Sequence, residues 1–110
     1  MGRRYVQSAS DLTIASSGST SNAISDIASA ISIVIYGPAS LDQTINVEVA
    51  QDATSGATFY PLLSAGSNVT ITAAKATVIT AGGFKQLRVK TASGTETAER
   101  VFLVDYQVEV

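Results

Sequence analysis

Residues 44–63, TINVEVAQDATSGATFYPLL, restrict the possible folds of this chain more than any other stretch. Ile45, Val47 and Val49 alternate with polar positions at Asn46, Glu48 and Gln51. A period of two places the apolar set on one face of an extended strand. Asp52-Ala-Thr-Ser-Gly56 is a run of turn formers, and residues 57–63 resume an extended pattern with Phe59, Tyr60, Leu62 and Leu63. Alternation, turn and renewed apolar residues together predict a β-hairpin with one buried face.

The same signature recurs along the chain. Residues 28–36, ASAISIVIY, are dense in β-branched side chains and stop at Gly37-Pro38. Ile24, Ile27, Ile31 and Ile35 also fall near helical spacing, but Ile31, Ile33 and Ile35 alternate. Branched side chains lose χ1 freedom in a helix, so the second half reads as strand, with a helical turn still open for 23–29. Further strands are expected at 24–27, 69–72, 76–80, 84–91 and 99–110, separated by turns at 64–68, 81–83 and 92–97. In the last strand Phe102, Val104, Tyr106, Val108 and Val110 share a face. This spacing predicts an all-β fold, an antiparallel, jelly-roll-like β-sandwich of about 7–9 short strands. The expected core anchors are Ile33, Ile35, Val47, Phe59, Leu62, Leu87, Phe102 and Tyr106.

Residues 1–25 are basic at the tip (Arg3, Arg4) and rich in Ser and Thr thereafter. That composition reads as an extended arm, residues 26–110 forming the sandwich. Leu12 and Ile14 alternate, so an edge strand within the arm, or an ordinary first strand, is equally open. Arg3, Arg4 and Tyr5 on the arm, with Asp52 and Ser55 in the central turn, are candidate contacts to a neighbouring subunit.

Charge and chemistry narrow the function. Only 15% of residues are charged, against about 25% in soluble domains. Much of the surface is therefore neutral and polar, which suits a protein packed against neighbours. A net charge of −2 argues against a general nucleic-acid binder. With neither Cys nor His, the chain lacks a disulfide framework, the commonest general base and the commonest zinc ligand. No apolar run approaches the ~20 residues of a membrane-spanning helix. MGRRYVQSAS has no apolar core behind its arginines, so the chain is expected to stay in the compartment where it is made.

The carboxylates read as structural. Asp52 belongs to a turn, Glu96 and Glu99 are too close in sequence for a glycosidase pair, and Asp105 is expected to meet a base or water. Arg88 and Lys90 fit a solvated sheet face. Asn68-Val69-Thr70 is a formal glycosylation acceptor with no signal peptide, and Gly82-Gly83 precedes no helix that would make it a phosphate loop. Tyr60, Phe59 and Tyr106 fit either core positions or a sugar-stacking platform. No catalytic residue, cofactor or metal is expected.

Three segments carry a family likeness: Val-Glu-Val-Ala-Gln-Asp (47–52), Ala-Thr-Phe-Tyr-Pro-Leu (57–62) and Val-Thr-Ile-Thr-Ala-Ala-Lys (69–75). Phe84, Leu87-Arg88-Val89-Lys90 and Glu99-Arg100-Val-Phe-Leu continue it. Over residues 28–110 the chain resembles small β-sandwich structural proteins of tailed-bacteriophage virions. It departs where Ala50 and Ala53-Thr-Ser-Gly56 stand in place of a tighter Ser-x-Asp-Gly turn. The resemblance implies a virion component, most closely a capsid decoration (cement) protein. Its partners would be the major capsid protein or other virion proteins and copies of itself, with a trimer favoured. Neck or tail placement, or a carbohydrate-binding sandwich on the particle, are the alternatives.

Overall fold

A computed structural model of the chain describes residues 5–25, 27, 30–80 and 83–109. Its elements in order are β1 (Tyr5–Ile14), β2 (Ala30–Tyr36), β3 (Ile45–Ala50), β4 (Phe59–Pro61), β5 (Leu63–Ser64), β6 (Ser67–Asn68), β7 (Thr70–Ile71), β8 (Ala76–Thr80), β9 (Gln86–Thr91) and β10 (Arg100–Glu109). Every pairing is antiparallel. One sheet has the order β1-β10-β2-β8; the other is built on β3, with β9 on one side and β4 and β7 on the other. The two sheets face each other as a sandwich, and no helix occurs among the described residues.

Alternation decides which side chains face inward. The first sheet contributes Leu12, Ile14, Ile33, Ile35, Ile79, Phe102 and Val104, and the second Ile45, Val47, Ile71, Leu87 and Val89. Of the expected anchors, Ile33, Ile35, Val47, Leu87 and Phe102 lie in this core. Leu62 and Tyr106 are half-buried at its rim. Phe59 is corrected: it faces outward, because its partner Ala50 sits on the same face of β3 as Glu48. Phe59 instead lies against the Arg88 guanidinium, 3.9 Å from the ring centroid.

Of the readings left open for the N-terminal segment, the structure shows the edge strand, here β1. β1 pairs with β10 in unbroken register from Tyr5↔Glu109 to Ile14↔Arg100, and buries Leu12 and Ile14. Two alternating apolar side chains at its end supply the burial that a free arm lacks. Arg3 and Arg4 lie outside the described residues. After a turn the Ser/Thr segment crosses to the second sheet and lines the free edge of β9. Thr20 and Ile24 bridge to Lys90 and Leu87, Ser21 donates its amide to Val89, and the Ser21 hydroxyl accepts from the Val89 amide at 3.0 Å. An unpaired sheet edge is costly, and main-chain bonds need no particular side chain to close it.

Among the described residues there are ten strands rather than the expected 7–9: the 57–63 strand breaks into β4 and β5, and β6 forms within the expected 64–68 turn, while in the expected 24–27 strand Ile24 makes an isolated bridge instead. At the break Val47 donates to the Val69 carbonyl, Leu62 donates to Val47, and Val69 donates to Leu62. A three-way junction thus replaces a continuous ladder, and the β5–β6 hairpin projects from it. Its tip, Ala65-Gly66, has both residues at positive φ (52° and 83°), the backbone of a tight two-residue hairpin turn.

Gly37 ends β2 where that chain passes under the β7–β8 connection. Its amide donates to the Lys75 carbonyl, and Ala74 donates to Pro38. A Cβ here would collide with the main-chain carbonyl of Thr72, which has no room to yield. Gly37→Ala is therefore expected to cost about 1–3 kcal/mol of folding stability, read as a lowered urea midpoint. Gly56→Ala, where a Cβ meets nothing, should leave the midpoint in place.

Candidate interaction surfaces and the buried carboxylate

Glu96 is the charged side chain that sequence reasoning passed over. It lies in the β9–β10 turn and is 0% exposed. Its carboxylate accepts amide hydrogens from Asp42 (3.0 and 3.2 Å) and Gln43 (2.8 Å), and the Arg100 Nε–H at 2.7 Å. Arg100 reaches on to Ser40 Oγ at 3.0 Å and Asp42 Oδ2 at 3.2 Å. Asp42 Oδ2 also accepts from the Thr97 amide and hydroxyl at 2.8 and 2.6 Å. The cluster ties the loop before β3 to the turn before β10. Burial alone would raise the Glu96 carboxyl, but the Asp42 amide, Arg100 and the Gln43 amide hold it below its ordinary value of 4.5. The Thr97 hydroxyl and amide, followed by Arg100, likewise lower Asp42 from 3.8.

This arrangement fastens loops and leaves no acid or base to spare. The Glu96 carboxylate is occupied by donors from its own chain, so the group is neither poised to move a proton nor open to substrate. Among the described residues no group of three or more His, Cys, Asp or Glu is placed to hold a metal. No helix among them is long and apolar enough to cross a membrane, a statement that does not extend to strands.

The outer face of the second sheet carries Glu48 and Arg88 as direct cross-strand neighbours. Arg88 Nε and Nη2 both meet Glu48 Oε1 at 2.8 Å. Arg88 is thus held by Glu48 and Phe59 rather than solvated and unpartnered. Gln86, on the same face, donates to the carbonyls of Asp52 and Thr54, both at 2.8 Å. The turn at 52–56 is fastened through its main chain, with the side chains of Asp52 and Ser55 exposed. Tyr60 points the other way from Phe59, into a cleft of about 460 Å³ lined by Val49, Leu62 and Phe84 among others. Tyr106 lies on the first sheet, facing the core. Phe59, Tyr60 and Tyr106 therefore do not form one stacking platform.

The outer face of the first sheet is different. Leu103 pairs with Tyr36, and Val34 pairs with Val78, on adjacent strands and on the side away from the core. Leu103 is 54% exposed, Tyr36 41% and Val78 71%, with Val101 adjoining. Asp105, beside Val34, and the exposed Asp11, the cross-strand neighbour of Leu103, are the charged residues among them. Neither this face nor the free stretch of β1 contains the expected contacts Asp52 and Ser55. The backbone of Tyr5 belongs to β1, and its side chain lies outside the described residues.

Removing the Glu96 charge takes from Arg100 its nearer carboxylate and leaves it Asp42 and Ser40. Glu96→Gln is expected to destabilise the fold by on the order of 3 kcal/mol. Because the folded-state carboxyls of Glu96 and Asp42 are depressed, their contribution is complete above the ordinary values of 4.5 and 3.8. It is lost as pH falls through the lower folded values. Denaturant titrations across the acid range should show that loss in the wild type, and a shallower one in Glu96→Gln.

No protein-family model matches the chain, and no curated protein matches it in sequence. Its structure is similar to a solved chain described as "Bacillus endospore appendages form a novel family of disulfide-linked pili", with a TM-score of 0.57 over 100% of this chain and 92% of that one. The two sequences are 12% identical. The likeness is one of fold: an all-β sandwich of antiparallel sheets.

Proposed function

We propose that this chain is a non-enzymatic structural subunit that works packed against neighbouring subunits, and that the assembly is a tailed-bacteriophage virion. In its most specific form the proposal is decoration of the outer capsid surface. The observation that carries it is the outer face of the first sheet, where Leu103, Tyr36, Val78 and Val101 stand in water. Contiguous apolar surface of this kind marks a protein contact. The low charge fraction of 15% agrees, since little else would keep copies apart. The virion assignment is supported by the sequence likeness over residues 28–110. A fold shared with a pilus protein supports the wider reading of a self-assembling part. Those pili are named as disulfide-linked; with no Cys, the residues of this sequence cannot supply such a link.

Co-sedimentation of the purified chain with capsids from the same phage tests this. Saturable binding at a high copy number per shell is expected, with treated shells surviving a higher temperature. Leu103→Gln, at an exposed site opposite Asp11, should weaken binding by about tenfold or more without lowering the melting temperature of the chain. A copy number near six or twelve would move the protein to the neck or tail. Long fibres formed by the chain alone would favour a pilus-type assembly.

A further inference from the structure

One edge of the first sheet is half closed, and a single side chain draws the boundary. β1 is an edge strand, bonded to β10 on one side only. Asn22, in the segment crossing to the other sheet, reaches back to it: Oδ1 accepts from the Thr13 amide at 2.8 Å, and Nδ2 donates to the Asp11 carbonyl at 3.1 Å. The amide of Asn22 thus imitates the main chain of an adjoining strand. Since the main-chain groups of Thr13 and Asp11 point away from β10, period two and the unbroken register make those of Ala9 and Gln7 do the same. Among the described residues nothing bonds them. The edge is therefore capped over Asp11–Thr13 and left open over Tyr5–Ser10.

We propose that this open stretch of β1 is a strand-pairing site for a second copy of the chain, the two β1 strands running antiparallel about a two-fold axis. The inference rests on the reading of the chain as an assembling subunit and names the partner and the edge. Such pairing joins two four-stranded sheets into one continuous sheet through main-chain bonds. Several features favour a second copy. Gln7, Ser8, Ala9 and Ser10 carry no charge, so self-pairing sets no like charges opposite one another. The charged Asp11 falls under the Asn22 cap, outside the paired stretch. A two-fold contact uses the same patch twice and closes on itself, which removes the exposed edge without starting a fibre. The opposite edge, β8, is less open: Val78 and Ile79 line a cleft of about 140 Å³ with Leu62, Leu63 and Val69 of the β5–β6 region. Joining the sheets at β1 also sets the two outer faces side by side, so that the apolar rows at Leu103 run toward one another.

The full chain tests this by amide exchange and sedimentation equilibrium. The Gln7 and Ala9 amides should gain protection as concentration rises, while Ser8 and Ser10, bonded within the sheet, are protected throughout. Ala9→Pro removes an outward N–H and spares the β1–β10 ladder, as proline does on an edge. It is expected to raise the dimer dissociation constant by about tenfold or more, with the monomer's melting temperature kept. Asn22→Ala should extend the open edge and strengthen association. If the wild type associates while Gln7 and Ala9 exchange freely, the pairing is overturned and the subunit reading stands on another surface. A chain monomeric at every concentration also overturns the pairing, and capsid co-sedimentation then decides the subunit reading separately. Should Ala9→Pro fail to fold, the exchange pattern of the wild type decides between pairing and its absence.

Discussion

The rest of this fold depends on one backbone requirement: β3 must satisfy its hydrogen bonds on both edges while burying one face. β9 meets the first condition along its full length. The other edge is shared between β7 at Ile45 and Asn46 and β4 at Glu48 to Ala50, with Val47 bridging the gap through Leu62 and Val69. The second condition is met by Ile45 and Val47, which face Ile33, Ile35 and Phe102 across the core. A strand so enclosed cannot slip by one residue without turning Glu48 inward and Val47 outward. The register of the second sheet follows, and with it the position of the 52–56 turn and of the Arg88–Glu48 pair.

The Glu96 cluster solves a different problem. Strands set the layers but not the loops at their ends, and the loop before β3 has Leu41 as its one side chain packed against the core besides its polar ties. A buried carboxylate taking two amides and a guanidinium fixes that loop where a hydrophobic contact could not. Such a group adds modestly to net stability, because desolvation offsets most of the attraction, yet it penalises every arrangement that leaves the charge unpaired. The cluster therefore acts on specificity, placing both ends of the core sheets in one geometry.

Much of the fold is legible in the sequence because the relevant signal is local. Alternation in 33–35, 45–49, 87–89 and 102–104 names inward side chains without any knowledge of their partners. Phe59 misleads for a physical reason: residue type suggests burial, but the face it occupies depends on its register with Ala50, and that register is interrupted at Leu62. The clasp is hidden because Asp42 and Glu96 stand 54 residues apart along the chain. A Glu in a Gly-containing turn looks the same whether it meets water or two amides. The Ser/Thr segment misleads in the opposite direction. Its composition reports weak intrinsic preference, whereas the free edge of β9 supplies a partner that needs only main chain.

The treatment of edges unites these observations with function. A sandwich of open sheets has four edges, and each invites pairing with another chain. Here the β9 side is closed by the crossing segment, the edge beyond β3 is formed by the short strands β4 and β7, and the β8 side adjoins the β5–β6 region. Asn22 closes part of the fourth and stops at Asp11. Protection that begins and ends within one strand differs from general neglect, since it limits the register that an incoming strand can take. Beside that edge the sheet's outer face carries Leu103 and Val101, with Asp11 and Asp105 as its carboxylates. Where many natural edges carry lysine or proline to repel a neighbour, the open stretch of this one, Tyr5–Ser10, carries neither. Main-chain bonds are thus left available over one part of the β1 edge and capped over the rest.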